Sequence, residues 1–282
     1  MRILLAAKHP PGGRLKFGGV QSWISTVARR LTHAMHDVTI WGPEFPLPRE
    51  PFHLGVFANR AWTKRAIPLC KNRLIVSHGI IQDENPGRLN SWPTFFGQKG
   101  PEMALKVAYT SEEVKDVWGA PGQIIRQPID LSVWRPGNGR DRTLVFYSYR
   151  ARSSFGLDTL AEELGLNFIW LSNVDEQTAR DHLQRAALAC ASGRAALEAM
   201  ACDTPTIIAD WRDYHETPLV SLNLDQARFC NYSGRDGVTP NLLNMSEVAI
   251  ETLATQRPRE YVEKWHCHEK VTTELFDECL QL

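Results

Sequence analysis

The sequence predicts an α/β fold of two domains, each built on a parallel sheet. Three observations predict it. Apolar runs of strand length alternate along the chain with segments whose apolar residues return at helical spacing, the pattern of strand–helix–strand units. At 282 residues, 43% hydrophobic and 23% charged, the chain is long enough to bury more than one core. Residues 127–139, Gln-Pro-Ile-Asp-Leu-Ser-Val-Trp-Arg-Pro-Gly-Asn-Gly, interrupt the alternation as an interdomain linker does.

In the first half, residues 2–7 form a strand that Lys8-His-Pro-Pro-Gly-Gly stops. Gly18-Gly19-Val20 then opens a helix over residues 21–33, with Trp23, Ile24, Val27, Ala28 and Leu31 at helical spacing. A strand, a glycine-bearing loop and a helix bring backbone N–H groups against phosphate. The glycines fit no strict dinucleotide fingerprint, so a plain flexible turn is the alternative. Strands follow at 38–41 and 52–57, and a basic helical piece covers 60–70. The strand Leu74-Ile-Val-Ser-His78-Gly79 presents a histidine at its carboxyl end, where open parallel sheets bind ligands. His78 is therefore an acid/base or polar-contact candidate, against a histidine that serves loop backbone.

Residues 80–101 are the longest irregular stretch, with Trp92, Phe95 and Phe96 among Arg88 and Lys99. Interleaved aromatic and basic residues can stack on and neutralise an acceptor such as a nucleic-acid strand or a lipid headgroup, or they can be packing anchors. A strand at 106–109, a helix capped by Thr110-Ser111-Glu-Glu and a strand at 123–126 close the half.

The second half opens with a strand at 143–148, whose end carries Tyr149-Arg150-Ala-Arg152. A helix at 156–164, a strand at 167–171 and a helix at 175–185 follow. Residues 187–191 are a strand ending near Cys190, Ser192-Gly193 turns the chain, and 194–201 are good helix formers. Arg194 and Glu198 share a helix face at (i, i+4), so both can address one ligand; an ordinary ion pair on a packing helix is the other reading. Residues 206–209 are a strand, 245–254 a helix, and 259–280 one long last helix after Pro258.

Net charge is zero, yet residues 1–137 hold 18 Lys and Arg against 10 Asp and Glu, and the remainder 14 against 22. The basic half favours an anionic partner: nucleic acid, membrane surface or phosphorylated substrate. Of 32 basic residues 23 are arginine, the better phosphate and stacking partner. Six scattered cysteines lack metal-type spacing, which predicts a reduced, cytoplasmic protein without structural zinc, able to lie against the inner membrane surface. No apolar run has the length of a membrane span, and the first residues read as a strand rather than a signal peptide. Neither a phosphate-loop lysine motif nor paired metal carboxylates are present, which argues against a kinase or a nuclease.

With the pieces in order, the chain resembles the family 4 type of retaining glycosyltransferases, as a compact, divergent member. Gly18-Gly19-Val20 looks like the family's first glycine loop, and Ser77-His78-Gly79 like its histidine near the transferred sugar. Tyr109-Thr-Ser-Glu-Glu113, Ile125-Arg-Gln-Pro-Ile-Asp-Leu-Ser-Val-Trp-Arg-Pro136 and Leu197-Glu-Ala-Met-Ala-Cys-Asp-Thr-Pro205 match its motifs around the linker and the donor helix. The resemblance implies the GT-B fold, two Rossmann-like domains facing across a cleft: residues 1–137 for the acceptor, 138–258 for the nucleotide sugar, and 259–282 as a helix packing back on the first domain. It further implies donor contacts from Gly18, Gly19, Arg150 and Glu198, with Glu198 on the ribose, Cys190 at the donor sugar, and His78, Arg150 and Glu198 as the catalytic set. Arg152 and Arg194 are the candidates to complete the positive charge on the diphosphate, and Arg194 or the backbone at Gly193 to hold the sugar. Three departures accompany it. The family's first donor glutamate falls on Cys190, its lysine falls on Phe155, and one strand–helix unit before residue 167 is absent.

The expected activity is therefore metal-independent transfer of a sugar from a nucleotide-diphosphate sugar such as a UDP-sugar, with retention. The nucleotide sugar is a co-substrate, and no cofactor is expected. The acceptor is a glycan or lipid precursor, or a hydroxymethylated base in DNA, met by Arg88, Trp92, Phe95 and Phe96. The alternative, motivated by Cys190 and Phe155, is a nucleotide-sugar-binding protein with impaired catalysis.

Overall fold

The structure is a computed structural model and describes residues 1–12, 18–58, 66–78, 106–119, 121–148, 154–210, 219–221, 223–234, 237 and 245–280. It divides into two compact units, Met1–Pro128 with His268–Leu282, and Ile129–Cys267.

The first unit carries six parallel strands, β1 (Arg2–Ala7), β2 (Asp37–Trp41), β3 (Phe52–Ala58), β4 (Cys70–Ser77), β5 (Lys106–Tyr109) and β6 (Gln123–Ile124), in the order β2-β1-β3-β4-β5-β6. Strand side chains alternate between faces, so each strand feeds two cores. Ile3, Leu5, Val56, Leu74 and Val76 pack on one face against Trp23, Ile24, Val27 and Leu31 of helix α1 (Gly19–His33). Leu4, Ala6, Phe57, Ile75 and Tyr109 pack on the other with Ile67 and Val114. Each large side chain so buried contributes roughly 1.5–3 kcal/mol.

Helix α2 (Glu112–Trp118) starts where Ser111 Oγ accepts the Val114 N–H at 3.3 Å, with Glu112 and Glu113 in its first turn. Arg126 grips the Glu112 carboxylate with both terminal nitrogens, one of them at 3.1 Å. Asp130 accepts from the Ser132 and Val133 amides, at 3.1 and 3.3 Å, and from the Ser132 hydroxyl at 2.6 Å, while Trp134 is fully buried. The serine–glutamate motif thus ties α2 to the stretch after β6 within the first unit, and the proline–aspartate–tryptophan motif builds the turn that opens the second.

The second unit has β7 (Thr143–Tyr147), β8 (Asn167–Leu171), β9 (Leu188–Ala191), β10 (Thr206–Asp210) and the short β11 (Leu219–Val220), ordered β11-β10-β9-β7-β8. Among the described strands only the β10–β11 pairing is antiparallel. Helix α3 (Leu157–Glu163) lies on one face with Leu144, Phe146, Leu188, Cys190 and Ile207. Helices α4 (Glu176–Leu183) and α5 (Arg194–Ala201) lie on the other with Val145, Ala189, Ala191 and Ile208. Asp175 caps α4, accepting the Thr178 N–H at 2.8 Å.

Helix α6 (Leu224–Phe229), absent from the sequence reading, is opened by Asn223, whose Oδ1 accepts the Gln226 N–H at 2.8 Å. Helix α7 (Met245–Thr255) precedes the terminal segment. The single long helix expected there is two: α8 (Pro258–His266) in the second unit and α9 (His268–Leu280) in the first. The break falls where Cys267 pairs with Ile129 in an isolated bridge and the Ile129 N–H donates to the His266 carbonyl at 2.7 Å. That tertiary pairing outweighs a locally unbroken helical propensity. Ile129 and Trp134 belong to the second unit's core, so that unit begins before residue 138, and Val271 and Leu275 of α9 pack in the first unit's core.

Candidate functional site

In an open parallel sheet a crevice opens beyond the carboxyl ends of two neighbouring strands whose helices leave to opposite faces. In the second sheet this switch point lies between β7 and β9, because α3 after β7 covers one face and α5 after β9 the other. Tyr147, the last residue of β7, stands between Ala191 and Leu171 in register. Two residues past Ala191, Gly193 adopts φ 58° and ψ −132°, a conformation open in practice to glycine alone, and α5 begins. Its N–H donates to the Tyr232 carbonyl.

Arg194 and Glu198 then form a buried pair: Arg194 Nε donates to Glu198 Oε1 at 2.8 Å, with side chains only 4% and 5% exposed. The Tyr147 hydroxyl hydrogen-bonds the same carboxylate, and Glu176 at the start of α4 adds its field. Burial pushes the Glu198 carboxyl above its ordinary range, while the Arg194 guanidinium and the Tyr147 hydrogen bond pull the other way. Burial first, and then the Glu198 charge, hold the Tyr147 phenol well above its usual range, so it stays a proton donor. Tyr147 and Glu176 were missed in the sequence because only the strand register and the packing of α4 bring them to Glu198.

Cys190 is not part of this cluster. It pairs in register with Phe146, so it points to the sheet face opposite Tyr147, and it is fully buried among Leu144, Leu157, Leu160 and Ile207. Its side chain reaches no solvent, which removes the side-chain donor contact expected at Cys190. A spacing of eight residues in sequence does not put Cys190 and Glu198 on one side of the sheet. Phe155 has φ 53° and packs against the same apolar cluster as Cys190.

At the carboxyl edge of the first sheet, Gly18 ends the loop before α1, its carbonyl accepting the Ser22 N–H at 3.0 Å, and Gly19 is exposed at the first helical position. His78 follows β4 directly, half-buried, with its ring edge-on to Trp23 of α1 at 4.9 Å between centroids. The helix that Gly19 opens thus also carries the aromatic contact of His78. Arg150 and Arg152, Gly79, and the acceptor candidates Arg88, Trp92, Phe95 and Phe96 lie outside the described residues.

Among the described residues, Cys267, His268 and Glu269 have ligand atoms within 4.8 Å of one another, close enough to share a cation. They are consecutive in sequence, and none of them is a candidate donor residue. No helix among the described residues is long and apolar enough to cross a membrane.

No protein-family model matches this chain, and no curated protein sequence matches it. Solved structures do. Sucrose-phosphate synthase from Thermosynechococcus elongatus matches with a TM-score of 0.59 at 13% identity, over 100% of this chain and 99% of that one. An alpha-glucosyltransferase, solved in complex with UDP and a 13-mer DNA containing a central A:G mismatch, matches with a TM-score of 0.59 at 9% identity, over 99% of each chain. At such identities the likeness speaks for architecture. Two parallel-sheet units matched over their whole length to glycosyltransferases of this architecture give the chain the GT-B fold.

Proposed function

We propose that the chain transfers a sugar from a nucleotide-diphosphate sugar to a hydroxyl acceptor, with retention of anomeric configuration and without a metal ion. The observation that carries this reading is the buried Arg194–Glu198 pair, with the half-buried Tyr147 beside it, at the switch point of the second sheet. A buried ion pair is weak as a stabiliser, since apolar residues of similar volume hold a core about as well. Its position at the one crevice where doubly wound sheets bind nucleotides gives it a use.

In this reading Glu198 accepts from the ribose hydroxyls. Arg194 and Tyr147 keep its carboxylate oriented, which gives Arg194 a different task from the direct donor contact expected of it. The opening turn of α5 after Gly193, with Arg150 and Arg152 beyond β7, meets the diphosphate, where positive groups stabilise the leaving phosphate. Gly18, Gly19 and His78 are the first unit's candidates for the diphosphate and the transferred sugar. The leaving phosphate assists deprotonation of the acceptor on the face it departs from, which retains configuration.

The acceptor we propose is anionic. The first unit, including α9, holds 18 Lys and Arg against 13 Asp and Glu, and the second 14 against 19. Hydroxymethylated DNA and glycan or lipid precursors both fit, and the solved alpha-glucosyltransferase with UDP and DNA is a reason to test DNA first. Incubation with UDP- and GDP-sugars, each acceptor in turn and excess chelator, followed by mass spectrometry and NMR of the anomeric proton, tests the reading. Transfer with retention that disappears in Glu198→Gln is expected; transfer unchanged by that substitution, or inversion, overturns it.

A second reading is favoured by Cys190: position 190, where the resembled family has a carboxylate for the donor sugar, holds a thiol buried in the core. A nucleotide-sugar-binding protein without transferase activity would bind donor tightly and pass it to no acceptor.

A further inference from the structure

The carbonyl that receives the Gly193 N–H belongs to an unusual turn. After α6 the chain passes through Asn231 and Tyr232, each with φ 55°. Two consecutive left-handed residues with side chains persist only where their surroundings fix them. Tyr232 is fixed at three points. Its N–H donates to the Ala227 carbonyl at 2.6 Å, its ring is buried in the cluster that holds Leu197 and Met200 of α5, and its hydroxyl shares a 2.8 Å hydrogen bond with His266 Nε2. The two rings meet edge-on at 5.2 Å, and both residues are 1% exposed. His266 is itself fixed, as the last residue of α8 with its carbonyl accepting from Ile129.

Phenylalanine and leucine would fill these positions with the same apolar area. What the hydroxyl and the imidazole add is direction: a hydrogen bond tolerates little rotation, and a rotation of Tyr232 would carry its carbonyl, and so Gly193, with it. We infer that Tyr232 and His266 are positioning residues for the donor turn, their hydrogen bond fixing the Tyr232 carbonyl and through it the Gly193 amide and the opening of α5. This rests on the reading of that turn as the nucleotide-sugar site.

The test uses the full chain as Tyr232→Phe, His266→Leu and His266→Gln, the last retaining a partner for the hydroxyl. Three quantities are read: amide exchange along residues 188–201, UDP affinity with the KM and kcat for nucleotide sugar, and the thermal midpoint. In Tyr232→Phe and His266→Leu, Gly193 exchange is expected to speed up, and UDP affinity to fall, by about tenfold each, the size of one lost buried hydrogen bond. KM should rise more than kcat falls, amides of β7 should keep their protection, and His266→Gln should stay within about twofold of the parent chain, since it keeps the bond. Unchanged Gly193 exchange, or exchange that accelerates evenly through the second unit, overturns the inference. If the parent chain binds UDP and Tyr232→Phe binds it equally, positioning fails while the donor site stands. If the parent binds no nucleotide but Gly193 exchange responds, the turn is positioned as inferred and the donor reading fails.

Discussion

At the carboxyl edge of the first sheet, the helix after β1 opens with Gly19 and sets Trp23 against a half-buried His78, over a core that is apolar on both faces. At the same edge of the second sheet, the helix after β9 opens with Arg194 and draws a carboxylate into the core beside Tyr147. The winding is shared: a first strand flanked by the second and third, with the switch point between the first and third. The chemistry is not. In the first unit, candidate groups sit on top of a finished core and can change without disturbing it. In the second they are part of the core, so fold and function respond together.

The strongest test of that contrast is Glu198→Ala. It leaves the Arg194 guanidinium buried without that carboxylate, and a loss of about 3–5 kcal/mol in unfolding free energy is expected, read from urea denaturation. Replacing the pair together, Arg194→Met with Glu198→Leu, should recover most of that stability and no activity. Recovery of both would make the pair a structural feature only.

Gly193→Ala comes next. The residue sits at φ 58°, ψ −132°, where a side chain is strained, so a loss of about 1–3 kcal/mol is expected even though open space surrounds the missing methyl. Nucleotide affinity should fall in parallel. A neutral outcome would mean that the turn before α5 relaxes freely.

The first unit should answer differently. His78→Ala removes an edge contact with Trp23, a loss of at most about 1.5 kcal/mol, while sugar transfer should drop by about a hundredfold or more if His78 contacts the reacting sugar or acceptor. A stability loss as large as that of Glu198→Ala would erase the contrast between the two edges.

How much of this could be read from the chain depends on the distance in sequence over which each feature is decided. Strands and most helices were legible because apolar runs and caps are local, as at Ser111. Arg194 and Glu198 were legible because an (i, i+4) pair is local too. Tyr147 was not, since its relation to Glu198 requires the pairing of β7 with β9 and the packing of α5 across them. Tyr232 and His266 stand 34 residues apart, and no spacing rule joins them. The break at Cys267 is set by Ile129, far back in the chain. Helix α6 had a usable signal: Asn223 followed by Gln226 is a capping pair, and Asn223 Nδ2 donates to Gln226 Oε1 at 2.7 Å.

Cys190 gives the smallest effect and the finest discrimination. Strand alternation places it with Phe146 on the face of α3, while Glu198 descends from the opposite face, so the sheet lies between the two side chains. Cys190→Ala should therefore cost about 1 kcal/mol of stability, an ordinary core change, and shift nucleotide affinity by less than about twofold. The thiol offers an independent check. Burial raises Cys70 to about 11 and Cys202 to about 12, and raises Cys190 as well. At pH 8 a thiol at 11 is ionised to about one part in a thousand, against roughly a quarter for an ordinary cysteine. All three should resist alkylation in the native chain and react on unfolding, with or without UDP. Rapid native labelling of Cys190 that UDP suppresses would put the sulfur in the donor crevice, and with it the second unit's chemistry on both faces of its sheet.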